Sequence, residues 1–434
     1  VALDTLEYNR DIRPLLAHHC FACHGPDKGA RKADLQLDAR EAAVAAGAIS
    51  ETNPADSELL SRIFSDDPDV VMPPPDSKKP LSDEAKSMLK KWVLEGAKYE
   101  EHWAFVSPVR KRPKLKNKAW REGPIDPYVM DRLLHEGLRP NSEADRRVLI
   151  RRVTFDLTGL PPSLEEIHAF LNDNSSDAYK KLVDRLMNNP AYGEHMARYW
   201  ADLVRLADTN GMHKDFYRNF STYRSWLIRA FNSNLPYDDF VRYQVAGDLY
   251  EKPTEDQYIA SGFNRLHLII DRGTALPEES HHKNVLDRVE AFGTAFLGLT
   301  VQCAQCHEHK YDPISQKEFY GLYAFFNNFD GAPETVGAPK GGIQQPSVKL
   351  TSGQVAMVMK ARDKPKPTFL LIRGAYDDPG EEVQRGTPEF LPALKTADES
   401  PTRMVLAEWL VDPAHPLTAR VAVNRFWQQF FGVG

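Results

Sequence analysis

All four cysteines of this 434-residue chain stand in two copies of one pattern. The first is Cys20-Phe21-Ala22-Cys23-His24 and the second is Cys303-Ala304-Gln305-Cys306-His307. C-x-x-C-H is the spacing at which c-type haem is attached. Its two thiols add to the vinyl groups, and the adjacent histidine binds iron from one face. With no cysteine left over, the pairs predict two covalent haem c groups. Cys20, Cys23, Cys303 and Cys306 would attach them, with His24 and His307 as iron ligands. A zinc site shared by the pairs is disfavoured, because about 280 residues separate them, outside zinc-ribbon spacing. Local disulfides or a thioredoxin-like pair would not require the histidines.

A second iron ligand is visible only for the first motif. Met72 lies in Val70-Val71-Met72-Pro73-Pro74-Pro75. A thioether delivered by stiff, proline-rich backbone suits the far face of the iron and raises its reduction potential. No comparable methionine loop serves the second motif, which predicts an open or water-bound sixth position. The candidates near it are His213, His267, His281, His282 and His309. His281 and His282 open a helix expected over 282–299, about 25 Å long, so they reach the iron only if the chain folds back. His213 lies in a polar loop with Asp208 and Asp215, where any of the three could be a distal ligand or proton acceptor. The bland reading of that loop is a helix end at Gly211. His309 and Tyr311 crowd the second motif as candidate proton shuttles, and Asp312-Pro313 reads as a turn.

Helices must position these groups. Alternating strand patterns are scarce and prolines number 31, so the chain reads as mainly α. A small class-I-like cytochrome c domain is expected over 1–105, with a helix leading into Cys20. Ser82 would cap a second helix bearing Leu89, Trp92 and Val93 on one face. Residues 106–124 read as a basic linker. Residues 125–330 read as a larger, irregular helical haem-binding domain. Its helices are expected at 126–136, 143–156, 163–172, 177–188, 193–207, 221–233, 237–246, 255–262, 282–299 and 315–327. Ser163-x-x-Glu166 and Ser315-x-x-Glu318 are capping boxes. Residues 331–366 read as loop or linker.

Composition adds bounds. A net charge of −6 gives no reason to expect nucleic acid. No apolar run of about 18 residues predicts a membrane span. Haem c attachment in bacteria occurs outside the cytoplasm, so a periplasmic or otherwise extracytoplasmic location is expected. The start of the sequence lacks a charged and apolar leader, consistent with a signal peptide already removed.

Longer stretches carry a family resemblance. Cys20 to Gly25, Val71-Met72-Pro73-Pro74 and His102-Trp103-Ala104-Phe105 resemble the planctomycete-type cytochrome c domain. Phe155-Asp156-Leu157-Thr158-Gly159-Leu160-Pro161-Pro162, Asp208-Thr209-Asn210-Gly211 and the run from Cys303 to Ile314 resemble the domain of unknown function that follows it. Residues 367–434, with Leu371 to Tyr376 and Leu417 to Trp427, resemble the start of a third family region, only partly present here. The resemblance implies a secreted, haem-bearing protein of bacteria that process complex polysaccharides.

The leading expectation is therefore a dihaem oxidoreductase. It would oxidise a small organic or sugar-like substrate at the second haem and pass electrons through the His24/Met72 haem. The acceptor would be a soluble cytochrome or a membrane component. The alternatives are a pure electron-transfer dihaem cytochrome and a dihaem peroxidase.

Overall fold

Apolar residues at helical spacing become helices nearly wherever the sequence predicts them. The computed structural model describes residues 6–115, 120, 123–211, 215–269, 276–331 and 340–434. Among these the chain is mainly helical, and its few strands form two short antiparallel hairpins. No described helix is long and apolar enough to cross a membrane.

The described residues group into two compact units. One comprises Val1–Val106, Ala201–Trp226 and Pro236–Val423; the other comprises Ser107–Trp200, Leu227–Leu235 and Asn424–Gly434. The stretch 125–330, expected as a single domain, therefore contributes to both. Both C-x-x-C-H motifs lie in the first unit.

Within that unit, residues 6–99 build their own core. Tyr8–Ile12 forms a π-helical turn that runs into the Arg13–His19 helix, and the Phe21–His24 turn follows. Ile12, Leu16 and Phe21 pack with Leu60, Ile63, Leu89, Trp92 and Val93. Ser82 Oγ accepts the Ala85 amide at 3.2 Å and starts the Asp83–Leu94 helix, as the sequence predicts. Trp92 donates its indole N–H to Lys98 O at 3.0 Å, and Tyr99 donates its hydroxyl to Leu37 O at 3.0 Å.

The rest of the unit is built around two long helices. The first runs Pro277–Phe292 rather than 282–299. Pro277 at the first turn and Glu278 and Glu279 after it are start signals, since proline needs no amide partner there and carboxylates favour the positive helix end. The expected far end is instead a π-turn at Gly293–Leu297, stopped by Gly298 at φ 65°. The second long helix, Gln316–Phe326, opens with the Ser315/Glu318 capping box. The segment around Arg403 docks by a buried polar contact. Arg403 forks onto Asp248 at 2.9 and 2.7 Å, and both side chains are buried. The region 331–366 is not all loop, for Ser347–Lys349 pairs with Val355–Met357. A second hairpin joins Phe369–Leu371 to Pro379–Glu382.

In the other unit, Arg146–Thr158, Leu164–Asn172 and Ala178–Met187 share a core of Ile150, Val153, Leu157, Phe170, Leu182 and Leu186. Gly159 closes the first of these helices at φ 70°, with the His195 ring where a side chain would stand. The Ser163/Glu166 capping box opens the second.

Candidate functional site

The first motif is a single tight turn. The Cys23 and His24 amides both bond Cys20 O, at 3.0 and 2.9 Å, which puts the two thiols and the imidazole on one bend. Both thiols are free, and burial pushes the Cys20 thiol up to about 12. The His24 ring is half-buried beside the backbone of Leu35 and Lys32, and its burial lowers its pKa. Its Nδ1 is buried with no hydrogen-bond partner. Arg62 connects this ring to the methionine loop. Its guanidinium acts on His24, while its carbonyl accepts the Met72 amide at 3.1 Å. Arg62 thus links the first motif to the Met72 loop.

The second motif is built differently. Val301–Gln305 forms a 3-10 turn, and Cys303, Cys306 and His307 are all exposed. His307 Nδ1 lies 2.6 Å from Glu308 O, which fixes the ring and turns Nε2 away from the backbone. A metal-binding histidine is commonly oriented in this way, its second nitrogen donating to a carbonyl. The motif is braced by distant chain. Gln305 O accepts from Gln316 Nε2 at 2.9 Å and from the Tyr320 hydroxyl at 3.2 Å, and Gln316 also donates to Leu371 O. Gly374, at φ 72°, passes so close that a Cβ there would stand 2.8 Å from Cys306 Sγ. Among the described residues no three His, Cys, Asp or Glu side chains converge on a metal-sized site, so nothing there supports the zinc alternative.

The sequence-derived candidates are dispersed. His213 lies outside the described residues. Asp208 is exposed, and Asp215 closes its own turn by accepting the Gly211 amide at 2.8 Å. The described contacts of this loop run to Tyr217, Arg218 and Ile269. His267 is fully buried, with one ring nitrogen 3.1 Å from Leu268 O and the other 3.1 Å from Arg288. Tyr311 is exposed, with Lys310 over its ring. His309 is buried, and its Nδ1 accepts the amides of Tyr311 and Asp312 at 3.3 and 2.8 Å. The remaining nitrogen must then carry the proton. His309 thus shapes its own turn and leaves one ring N–H to donate.

His281 and His282 come closer to the second motif than helix length alone suggests. The chain folds back through the Gln316–Phe326 helix, which carries Tyr320 beside Gln305 and Tyr323 beside His282. His282 Nδ1 lies 3.2 Å from the Tyr323 hydroxyl, and the Gly374 backbone is adjacent. His281 Nε2 meets Asn327 at 2.6 Å. Burial lowers both histidines to about 4.

A cleft of about 680 Å³ is lined by residues that follow each motif, Pro26 after the first and Glu308, His309 and Asp312 after the second, with Glu318 and Phe390 among its other walls. Pro26 follows His24 by two positions, and Glu308 follows His307 directly. Burial raises the pKa of Glu308, and Lys28 and Asp27 from the first motif act on it across this junction. Sequence reasoning did not find this junction, nor the role of Gly374, because each rests on contacts between distant segments. Gly374 does lie within a stretch that carries the family resemblance.

Comparison with known proteins agrees with the order of regions. Residues 20–76 match the family described as Planctomycete cytochrome C. Residues 124–331 match a Protein of unknown function (DUF1549), and residues 402–434 match a Protein of unknown function (DUF1553). No curated protein and no solved structure matches the chain.

Proposed function

Since the chain belongs to the planctomycete-type cytochrome c domain proteins, with the two following family domains in order and the last in part, we propose that it is an extracytoplasmic dihaem c-type cytochrome that relays electrons. Residues 1–105 would carry one haem and the body containing residues 303–307 the other. When bound, haem c supplies one-electron redox chemistry at iron. The chain supplies the rest. The cysteine pairs would anchor the groups, and His24 and His307 would bind their irons. Met72 as a thioether ligand would give the first site the higher potential. A soluble cytochrome or a membrane acceptor would take the electrons on.

The observation that carries this reading is the junction at Glu308, where the stretches following the two motifs lie within electrostatic reach of each other. The contacts of Asp208 and Asp215 favour relay over substrate chemistry, for they run elsewhere. Oxidation of a small polar or carbohydrate-like substrate is the second reading, and the cleft favours it. That cleft is large enough for a small molecule, and His309 offers a fixed N–H donor at its wall.

The test is electron delivery. Fully reduced protein, mixed with a ferric soluble cytochrome, should deliver two electrons per chain. The double variant Cys303→Ala, Cys306→Ala should deliver one. Equal yields from the two proteins would refute the relay. Turnover with simple sugars by the intact protein would promote the second reading.

A further inference from the structure

The cleft of about 680 Å³ carries one fixed donor and several acceptors on its wall. The donor is His309. Its ring is only 4% exposed, and the amides of Tyr311 and Asp312 occupy its Nδ1 at 3.3 and 2.8 Å. Nε2 therefore carries the proton, and no described group accepts it. The acceptors are carboxylates. Glu318 is committed inside the fold, to the Ser315 hydroxyl at 2.7 Å and the Glu389 amide at 2.6 Å. The side chains of Glu382 and Glu389 are exposed, and Asp312 and Glu308 line the cleft with them. Lys317, the basic residue of the wall, is paired with Glu381 at 3.0 Å and does not offset them. Pro26, Ile314 and Phe390 supply apolar surface, and Phe105 backs the Phe390 ring with centroids 4.4 Å apart. Apolar surface with a charged, solvated rim is the anatomy of a protein-docking patch.

The polar groups select the occupant. An anion is repelled by the carboxylates. A simple cation satisfies them but leaves the His309 N–H without an acceptor. A lysine-bearing loop of another protein supplies both, an ammonium for the carboxylates and a backbone carbonyl for the N–H. A neutral polyol gains nothing from the net charge of the rim, whereas a basic protein is steered by it. Position adds the partner's trade. Glu308 follows His307 directly and Pro26 follows His24 by two positions, and both residues line the cleft. Cys303, Cys306 and His307 are themselves exposed. We propose that this cleft is the docking surface of the electron acceptor, and that the acceptor is a soluble cytochrome with a lysine-rich face rather than a membrane component. The inference rests on the relay reading. Each encounter passes one electron from a ferrous haem of this chain to the ferric iron of the partner.

Stopped-flow oxidation of the fully reduced chain by a lysine-rich ferric cytochrome c is the test. The number of electrons delivered reports on the relay and the rate reports on the docking surface, so the two readings fail separately. At low salt the double variant Glu382→Lys, Glu389→Lys should react about tenfold more slowly or less, since steering by surface charge is worth roughly 10- to 1,000-fold in association rate. Added salt should slow the unmodified protein and leave the double variant nearly unchanged. Oxidation by ferricyanide, a small anion, should not slow in the variant, which shows that its haems remain competent. If the charge-reversed pair fails to fold, Glu382→Gln, Glu389→Gln should slow the reaction in the same direction by less. Equal rates for the variants and the unmodified protein overturn the proposal, and so does an unmodified rate indifferent to salt. Slowing by added glucose, with no dependence on salt, would assign the cleft to a small polyol and overturn it as well.

Discussion

The two C-x-x-C-H motifs share a pattern but not a way of being supported. The first is served by nearby chain. Its histidine, its methionine loop and Arg62 all fall between residues 20 and 76, and the core beneath them closes by residue 99. The second is served by distant chain, with Gln316, Tyr320, Leu371 and Gly374 bracing one exposed turn. A locally supported site can be carried as a module. A site assembled from distant segments depends on the whole unit folding first, since loop closure must be achieved before its contacts form.

The largest separation of the two sites should come from Gly374→Val. The residue sits at φ 72°, and a Cβ there meets Cys306 Sγ at 2.8 Å. Strain of about 1–3 kcal/mol and displacement of the cysteine turn should leave the second motif poorly loaded. Pyridine haemochrome content should fall toward one haem per chain while the first haem keeps its spectrum. Equal loss from both motifs would erase the contrast.

Acid should also act on the distant supports. Burial lowers His281 and His282, which pack beside those supports, from 6.5 to about 4 in the folded protein. Between those values the unfolded chain binds more protons, so stability is full above pH 6.5 and falls as the pH drops toward about 4. Denaturation midpoints across that window should decline, and His281→Asn should flatten the decline. A midpoint that stays constant through the window would contradict the burial of these rings.

Much of this contrast was legible in the sequence, and unevenly so. Helix positions followed from apolar spacing, and all three Ser-started helices, at Ser82, Ser163 and Ser315, appear with their caps. The Pro277 start is less legible, because the apolar face of that helix lies further along, from Val285 onward. The motif residues and Met72 were legible because local spacing encodes them. The setting of the second motif was not, since φ at Gly374 and the Glu308 junction depend on segments far apart in the chain. The part His309 plays in its own turn, where its Nδ1 accepts two backbone amides, was likewise hidden in the sequence.

A smaller effect sharpens the local side of the comparison. Met72→Ala should lower the potential of one haem and remove its near-infrared methionine band, with the other haem unchanged. Redox titration checks this, and two unchanged potentials would remove Met72 from the first site. Smallest of all, Ser82→Ala removes the cap bond to the Ala85 amide and should cost about 1 kcal/mol. Thermal unfolding should register it while the spectrum of the second haem stays as it was.

The central claim is that both motifs carry covalent haem within one unit. Intact mass of the denatured, unreduced chain tests it most directly, because thioether-linked haem survives denaturation. The account predicts the polypeptide mass plus two haems, falling to one when Cys303 and Cys306 are both alanine. A mass of polypeptide plus one haem in the unmodified chain would contradict it.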